Sequence, residues 1–324
     1  MAVYTKLRRQ SIERIFSGYR LGIVFGFQEI SQGIENTNYF VDTQKQGENA
    51  HVATQQWVLT IFENVVPKDI PYFCELTSHL NQEGFDVPAP VLGSDGEYTF
   101  SYENKVGLIV PRLKGRSLVF PALSECAKVS AWLANMHLSL AQFSKTRLAE
   151  RDITWVKTHV GRLKEHMRAE EYSQLIYFSE RYYRYHDDLL RCPQGTIHGD
   201  LFRDNVLFHD GSVSGVFDFY HACDSALIFD LAVLANDWAF VNGKYDIKKL
   251  NSLVSSYQSI RPWTELENKM WLKCLELAAL RFWISRLTSL YLPGYQQESV
   301  SGETLKDPGE MKAILTHLQE LSLE

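Results

Sequence analysis

The 324-residue chain lacks most of what marks secreted, membrane and nucleic-acid-binding proteins. Its five cysteines (Cys74, Cys126, Cys192, Cys223, Cys274) are odd in number and include no Cys-x-x-Cys pair. That argues against a disulfide framework and a cysteine-built zinc site, and it fits a reducing cytoplasm. No run of about 18 apolar residues occurs, so no membrane span is expected. The most apolar stretch, 226–240, is broken by Asp230 and Asp237 and reads as a buried helix. The opening MAVYTKLRRQSIERIF is basic but has no apolar core of a signal peptide. Positive charge is in deficit, with 33 Lys and Arg against 39 Asp and Glu, a net charge of −6. Such a balance excludes an extended nucleic-acid groove or a basic membrane-binding face. Internal repeats and low-complexity tracts are also missing. A cytoplasmic protein is expected, with no nucleic-acid and no membrane partner.

What is present changes character near residue 115. Before it, short alternating runs at 26–31, 36–43, 55–62 and 98–102 precede an apolar run at 107–110, with polar or Gly-bearing turns between most of them. This predicts an antiparallel sheet. A small helix at 8–16, stopped by Gly18, and a longer one at 71–82 accompany it. After Gly115 helical periodicity prevails, with candidates at 122–142, 153–168, 170–190, 226–241, 246–258, 264–290 and 308–322. Between the third and fourth lies a short β-rich island, 196–219. The expected architecture is α+β and bilobal: an N-lobe at 1–113, sheet plus one main helix, and a helical C-lobe at 114–324. Residues 291–307 read as a loop.

The β-rich island reads TIHGDLFRDNVLFHDGSVSGVFDF. It places Asp200 after His198-Gly199, Asn205 five positions later, and Asp218 before an aromatic. Val206-Leu-Phe208 and Gly215-Val-Phe217 read as a hairpin turning at Asp210-Gly211. Such a hairpin puts Asn205 and Asp218 at one end of two paired strands, where their oxygens suit Mg²⁺. One carboxylate to take a hydroxyl proton, plus an amide and a second carboxylate for metal, is the set a phosphoryl transferase needs. Taken alone, a loop aspartate is more often an Asx-turn or helix cap.

This block resembles the catalytic loop of the aminoglycoside-phosphotransferase and choline-kinase superfamily, distant relatives of protein kinases. The resemblance implies a protein-kinase-like fold and ATP with Mg²⁺ as the phosphoryl donor. Asp200 would be the catalytic base, Asn205 and Asp218 the metal ligands, and His198 a structural support. Asp230, in Phe229-Asp-Leu-Ala232, matches an element that buttresses the loop in such enzymes; a helix-N-terminal charge is the other reading. The loop 31–39, SQGIENTNY, would cover the phosphates through Gly33, Asn36, Thr37 and Asn38, where a plain polar hairpin loop is the alternative. Val58, Thr60, Val110, Arg112 and Leu113 would line the nucleotide, with Arg112 or Leu113 donating because Pro111 has no N–H. An interdomain linker with no ligand role is the other reading of the Pro111 segment.

One departure stands out. The third strand, Trp57-Val-Leu-Thr-Ile-Phe-Glu63, carries Thr60 where kinases of this kind carry lysine. Lys45 or Lys105 would then have to reach in, or the loop and metal do more; Glu75, near the usual helix glutamate, loses its partner. Together with GIENTNYF and DFYHACD, this strand resembles the bacterial branch of the superfamily that phosphorylates L-homoserine. The resemblance implies a small amino-alcohol substrate and O-phospho-L-homoserine as product, for threonine synthesis. Choline, ethanolamine, methylthioribose or an aminoglycoside are alternative acceptors, and a non-catalytic nucleotide-binding protein is the alternative of another class. For a zwitterionic acceptor, Arg203 is a candidate carboxylate partner, and Asp204, Asp224 or the carbonyls near Tyr220 are candidate ammonium partners. Trp263, Trp271, Phe282, Trp283 and Tyr291 read as core aromatics or, for a cationic head group, a cage.

Overall fold

The computed structural model describes residues 5–30, 36–46, 52–63, 66–292 and 306–321. They divide into two compact units between Leu113 and Lys114. The first is an antiparallel sheet with helices. Helix α1 (Arg9–Tyr19) precedes strands β1 (Ile23–Glu29), β2 (Asn36–Gln46) and β3 (Val52–Phe62). Helix α2 (Ile70–Gln82) follows, then β4 (Thr99–Tyr102) and β5 (Lys105–Pro111), and the sheet order is β1-β2-β3-β5-β4. Alternation sets the buried face. Tyr39 and Val41 of β2 and Trp57, Leu59 and Ile61 of β3 point to one core, closed by Ile12, Phe16 and Tyr19 of α1. Burying each such side chain contributes roughly 1.5–3 kcal/mol. Gly18 does not stop α1: the helix runs one residue further, because Tyr19 is buried and its hydroxyl donates to the Tyr98 carbonyl (3.1 Å).

The second unit is mainly helical. It comprises α3 (Leu123–Leu140), α4 (Ile153–Leu163), α5 (Ala169–Arg191), β6 (Gln194–Ile197), β7 (Val206–His209), β8 (Ser212–Val216) and β9 (Cys223–Ala226). Then come α6 (Leu227–Trp238), the short pair β10 (Phe240–Val241) and β11 (Lys244–Tyr245), α7 (Ile247–Gln258), α8 (Glu265–Tyr291) and α9 (Pro308–Leu321). Helix α8 is the spine, packed against α4, α5, α6 and α9. Thr264 and Glu267 form a capping box at its start, satisfying backbone donors that have no partner inside the helix. Among the described residues no helix is long and apolar enough to cross a membrane.

The β-rich island is larger than the motif suggested. Hairpin β7–β8 sits between β6 and β9, which pair antiparallel with Ile197 opposite Cys223. That ladder fixes where the loop before β7 begins and where the segment after β8 ends. The helix expected at 226–241 stops at Trp238, because Phe240 and Val241 pair with Tyr245 and Lys244 around an Asn242-Gly243 turn, both with positive φ. The helix expected to reach 168 stops at Leu163 and continues as a single 3₁₀ turn, 164–166.

Candidate active site

The loop from His198 to Asn205 is held from below by one buried carboxylate. Asp230, in the first turn of α6, accepts the N–H of His198 (2.8 Å) on one oxygen and that of Gly199 (2.9 Å) on the other. Gly199 has φ +77°, and a Cβ there would meet the His221 carbonyl oxygen at 2.9 Å, so only glycine turns the chain at this point. His198 is fully buried with both ring nitrogens occupied: Nε2 lies 3.0 Å from the Phe217 carbonyl, and Nδ1 accepts the Asp200 N–H (3.2 Å). The pair of contacts requires the neutral Nε2–H tautomer. Burial, outweighing the nearby Asp230 and Asp200 charges, keeps the His198 pKa below its ordinary value.

Behind Asp230 runs a buried polar chain. His137 of α3 contacts Asp230 through Nε2 (3.0 Å) and the Tyr257 hydroxyl through Nδ1 (2.6 Å). Arg261 donates to that hydroxyl (2.8 Å) and is itself paired with Glu267. Burial alone would raise the Asp230 pKa; the His137 hydrogen bond, the two neighbouring histidines and the Gly199 N–H outweigh it and hold the carboxyl below its usual range. The loop therefore rests on an ionised carboxylate braced by α3, α7 and the start of α8.

Asn205 and Asp218 flank the open end of the β7–β8 hairpin, where the Phe217 N–H donates to the Asn205 carbonyl (3.1 Å) and Val206 lies opposite Val216. The Asn205 amide nitrogen donates to the main-chain oxygen (2.8 Å) and the side chain (3.1 Å) of Asp200. Two acceptors on that nitrogen fix the amide's orientation and leave its carbonyl oxygen available as a ligand. Asp218 takes the left-handed conformation at φ 67°, ψ 54°, which ends β8 and starts a 3₁₀ turn. An amide oxygen and a carboxylate at one hairpin end are hard donors that fit Mg²⁺, which keeps most of its shell for water and phosphate oxygens. Among the described residues no group of three or more His, Cys, Asp or Glu side chains stands ready to hold a metal by itself.

In the first unit, Gly33 lies outside the described residues, while Asn36, Thr37 and Asn38 open β2. Asn38 is in register with Thr60, whose hydroxyl donates to its side chain (2.7 Å). The threonine at the lysine position is thus a cross-strand tie. Lys105 pairs with Glu63 and donates to Thr5 (2.7 Å), and Thr37 donates to the same Glu63 (2.6 Å). Lys45 is exposed on β2. Val58 faces Val110 across the β3–β5 pair. The Arg112 N–H is taken by the Gln56 carbonyl (3.0 Å) and its guanidinium lies over the Phe40 ring, so of the two amides after Pro111 only that of Leu113 remains for a ligand.

The candidate acceptor residues separate. Arg203 is committed to Asp237 through Nε (3.0 Å) and Nη2 (3.3 Å), and to the Val119 carbonyl (2.7 Å). Asp204 is paired with Lys306 (2.7 Å) at the surface. Tyr220 lies in the 3₁₀ turn at Phe219–His221. Asp224, on β9, accepts from the Arg147 N–H and the Thr196 hydroxyl (both 3.1 Å) and lines a cavity. Of the late aromatics, Trp283 is fully buried and packs edge-on against Phe178.

The family description "Phosphotransferase enzyme family" matches residues 26–260, an interval containing the whole loop and hairpin. The chain belongs to this family. A homoserine kinase from Ralstonia nicotianae is 36% identical over 309 residues, covering 90% of this chain and 89% of the relative. A homoserine kinase from Methylobacillus flagellatus is 35% identical over 324 residues, covering 98% and 95%. Among solved structures, amicoumacin kinase in complex with AMP-PNP, Ca²⁺ and Ami superposes with a TM-score of 0.66 over 97% of this chain and 92% of that one, at 15% identity. The last likeness shows the fold: this phosphotransferase has the protein-kinase-like α+β fold.

One residue beside the phosphotransferase's loop escaped the sequence reading. Arg281 of α8 donates through Nη2 to the Gly199 carbonyl (2.7 Å) and lies against the Phe282 ring. Its signal was available: it is the one charged side chain in the apolar run Leu277–Ile284.

Proposed function

We propose that this phosphotransferase is a homoserine kinase that moves the γ-phosphoryl group of ATP to the side-chain hydroxyl of L-homoserine, with Mg²⁺ as the metal. The observation that carries the acceptor is similarity along nearly the whole chain to enzymes of that name, with Asp200 and Asn205 in contact on the loop and Asp218 at the open end of the hairpin that follows. Asp200 accepts a hydrogen bond from the acceptor hydroxyl and takes its proton as the oxygen–phosphorus bond forms and ADP leaves. Positioning outweighs base strength here, because the transition state is loose. The Asn205 amide keeps the Asp200 carboxylate oriented, and the Asp230 platform keeps the loop backbone fixed. Asn205 and Asp218 hold the metal. When bound, Mg²⁺ supplies charge neutralisation at the β- and γ-phosphates.

On the nucleotide side, the Leu113 N–H serves the base, Val58 and Val110 give it an apolar surface, and Asn36–Asn38 with Gly33 cover the phosphates. With Thr60 spent on Asn38, the third strand supplies no cation there. The product, O-phospho-L-homoserine, feeds threonine biosynthesis, and the five buried free thiols suit a cytoplasmic enzyme.

ADP release with Mg-ATP tests the reading on a panel of L-homoserine, choline, ethanolamine, methylthioribose and an aminoglycoside. Homoserine is expected to give the highest kcat/KM. A better acceptor elsewhere in the panel would refute the substrate and leave the phosphotransferase family untouched.

A further inference from the structure

A cavity of about 120 Å³ lies in the second unit, enclosed by the 147–152 segment, α5, β9 and Arg281. It has room for about four waters at roughly 30 Å³ each, a size that admits a small amino acid. Two side chains on its wall carry buried polar atoms that no hydrogen bond satisfies: Nε of Arg281 and Nδ1 of His186. Arg281 is the telling one. It is only 7% exposed, the Gly199 carbonyl is its hydrogen-bond acceptor, and among the described residues no carboxylate lies within ion-pair distance. Two other arginines of this unit are matched: Arg181 makes a two-pronged pair with Glu276 (2.5 and 2.8 Å), and Arg261 pairs with Glu267. Removing a guanidinium from water with no carboxylate in direct contact is costly, and the ring of Phe282 at 4.1 Å offsets only part of it. Burial and the Arg151 charge, against the opposing charges of Asp200 and Asp230, lower the Arg281 pKa to about 10, which leaves it cationic at neutral pH.

The same cavity also presents an acid. Each oxygen of Asp224 accepts one hydrogen bond, from Arg147 or Thr196, which leaves further lone pairs for a donor. A buried guanidinium with an unpartnered Nε and a carboxylate with spare acceptor capacity are the complement of a zwitterion. Arg281 is moreover bonded to the residue preceding Asp200, so a carboxylate held there is fixed relative to the loop.

We infer that Arg281 binds the α-carboxylate of the acceptor and Asp224 its ammonium group, making this cavity the amino-acid pocket that selects homoserine over uncharged or purely cationic alcohols. The assignment rests on the homoserine kinase reading.

Steady-state kinetics with L-homoserine and with 3-amino-1-propanol, which lacks the carboxylate, test it in the full chain. Arg281→Met should raise the homoserine KM roughly 30-fold or more, the scale expected for losing one partner of a buried charge pair. Because Arg281 also holds the Gly199 carbonyl, turnover should fall for both acceptors, but kcat/KM should fall far more for homoserine than for 3-amino-1-propanol, so the preference for homoserine collapses, with partial recovery in Arg281→Lys. Equal losses for both acceptors would mark Arg281 as a brace for Gly199 only and overturn the inference. Homoserine turnover with an unchanged preference would do the same. If Arg281→Met does not fold by thermal melting, Arg281→Lys is read by the same ratio. A wild-type enzyme that does not phosphorylate homoserine overturns the kinase reading, and this inference with it.

Discussion

Asp200 owes its aim to its neighbours: its main chain hangs from the Gly199 turn and its side chain is held by the Asn205 amide. Asp200→Asn keeps the shape and removes the proton acceptor. It should lower kcat by about 10²–10⁴-fold, the usual worth of a positioned base, with little change in the KM for Mg-ATP. Near-wild-type turnover would remove Asp200 from the reaction. The three polar residues of the loop and hairpin were legible because they fall within 19 residues of one another (200 to 218) and a tight turn fixes their relation. Arg281 was not. It reaches Gly199 across 82 residues of sequence, and a single arginine in an apolar helix says that something pairs with it without saying what. Arg203 shows the opposite: adjacency in sequence to the loop gave no sign of its bidentate attachment to Asp237.

At the level of elements, local chemistry was readable and long-range pairing was not. Asp210-Gly211, both with positive φ, gave the hairpin away, since that turn demands residues tolerant of the left-handed region. The β6–β9 ladder joins segments on either side of the loop and hairpin, and no local signal specifies such a partner. Asn242-Gly243 carries the same turn signal as Asp210-Gly211, but the helical period of α6 was extended through Phe240 and Val241, which pair as a strand before that turn. The platform under the loop has a pH dependence of predictable sign. His198 is neutral when folded because its Nδ1 accepts a hydrogen bond, and its folded pKa lies below the unfolded value of about 6.5. The unfolded chain therefore binds the proton first, and stability is fully present above pH ~6.5 and falls as pH drops below it. His159, also held low by burial, adds a contribution of the same sign. Asp230 acts at lower pH: its folded pKa is depressed, so its contribution is present above about pH 3.9 and is lost as the pH falls through the folded value. Melting temperatures measured from pH 7.5 to 5.5 should decline, and His198→Asn should flatten the decline in part. An unaltered slope in that variant would show that His198 is not a source of it.

For the molecule as a whole, the change from alternating to helical periodicity near residue 115 was enough to separate a sheet unit from a helical one, because each kind of core repeats its pattern many times over. The lysine substitution needed the structure: only the Thr60–Asn38 bond shows that position used for a cross-strand tie. The metal assignment makes a prediction about the stability of the entire chain. A ligand that binds only the folded state stabilises it by about 2.7 kcal/mol at 100 times its Kd, which in a protein of this size is a rise of several degrees in Tm. Mg-AMP-PNP should produce such a rise, and AMP-PNP with a chelator a smaller one. The difference between the two is the metal's share. Asp218→Ala removes one of the two protein oxygens proposed to hold Mg²⁺, so its Tm should respond alike with metal and with chelator, while the chelator arm still reports nucleotide binding. A full metal-dependent shift in Asp218→Ala would place the metal on other oxygens, and Asn205 alone does not provide enough of them.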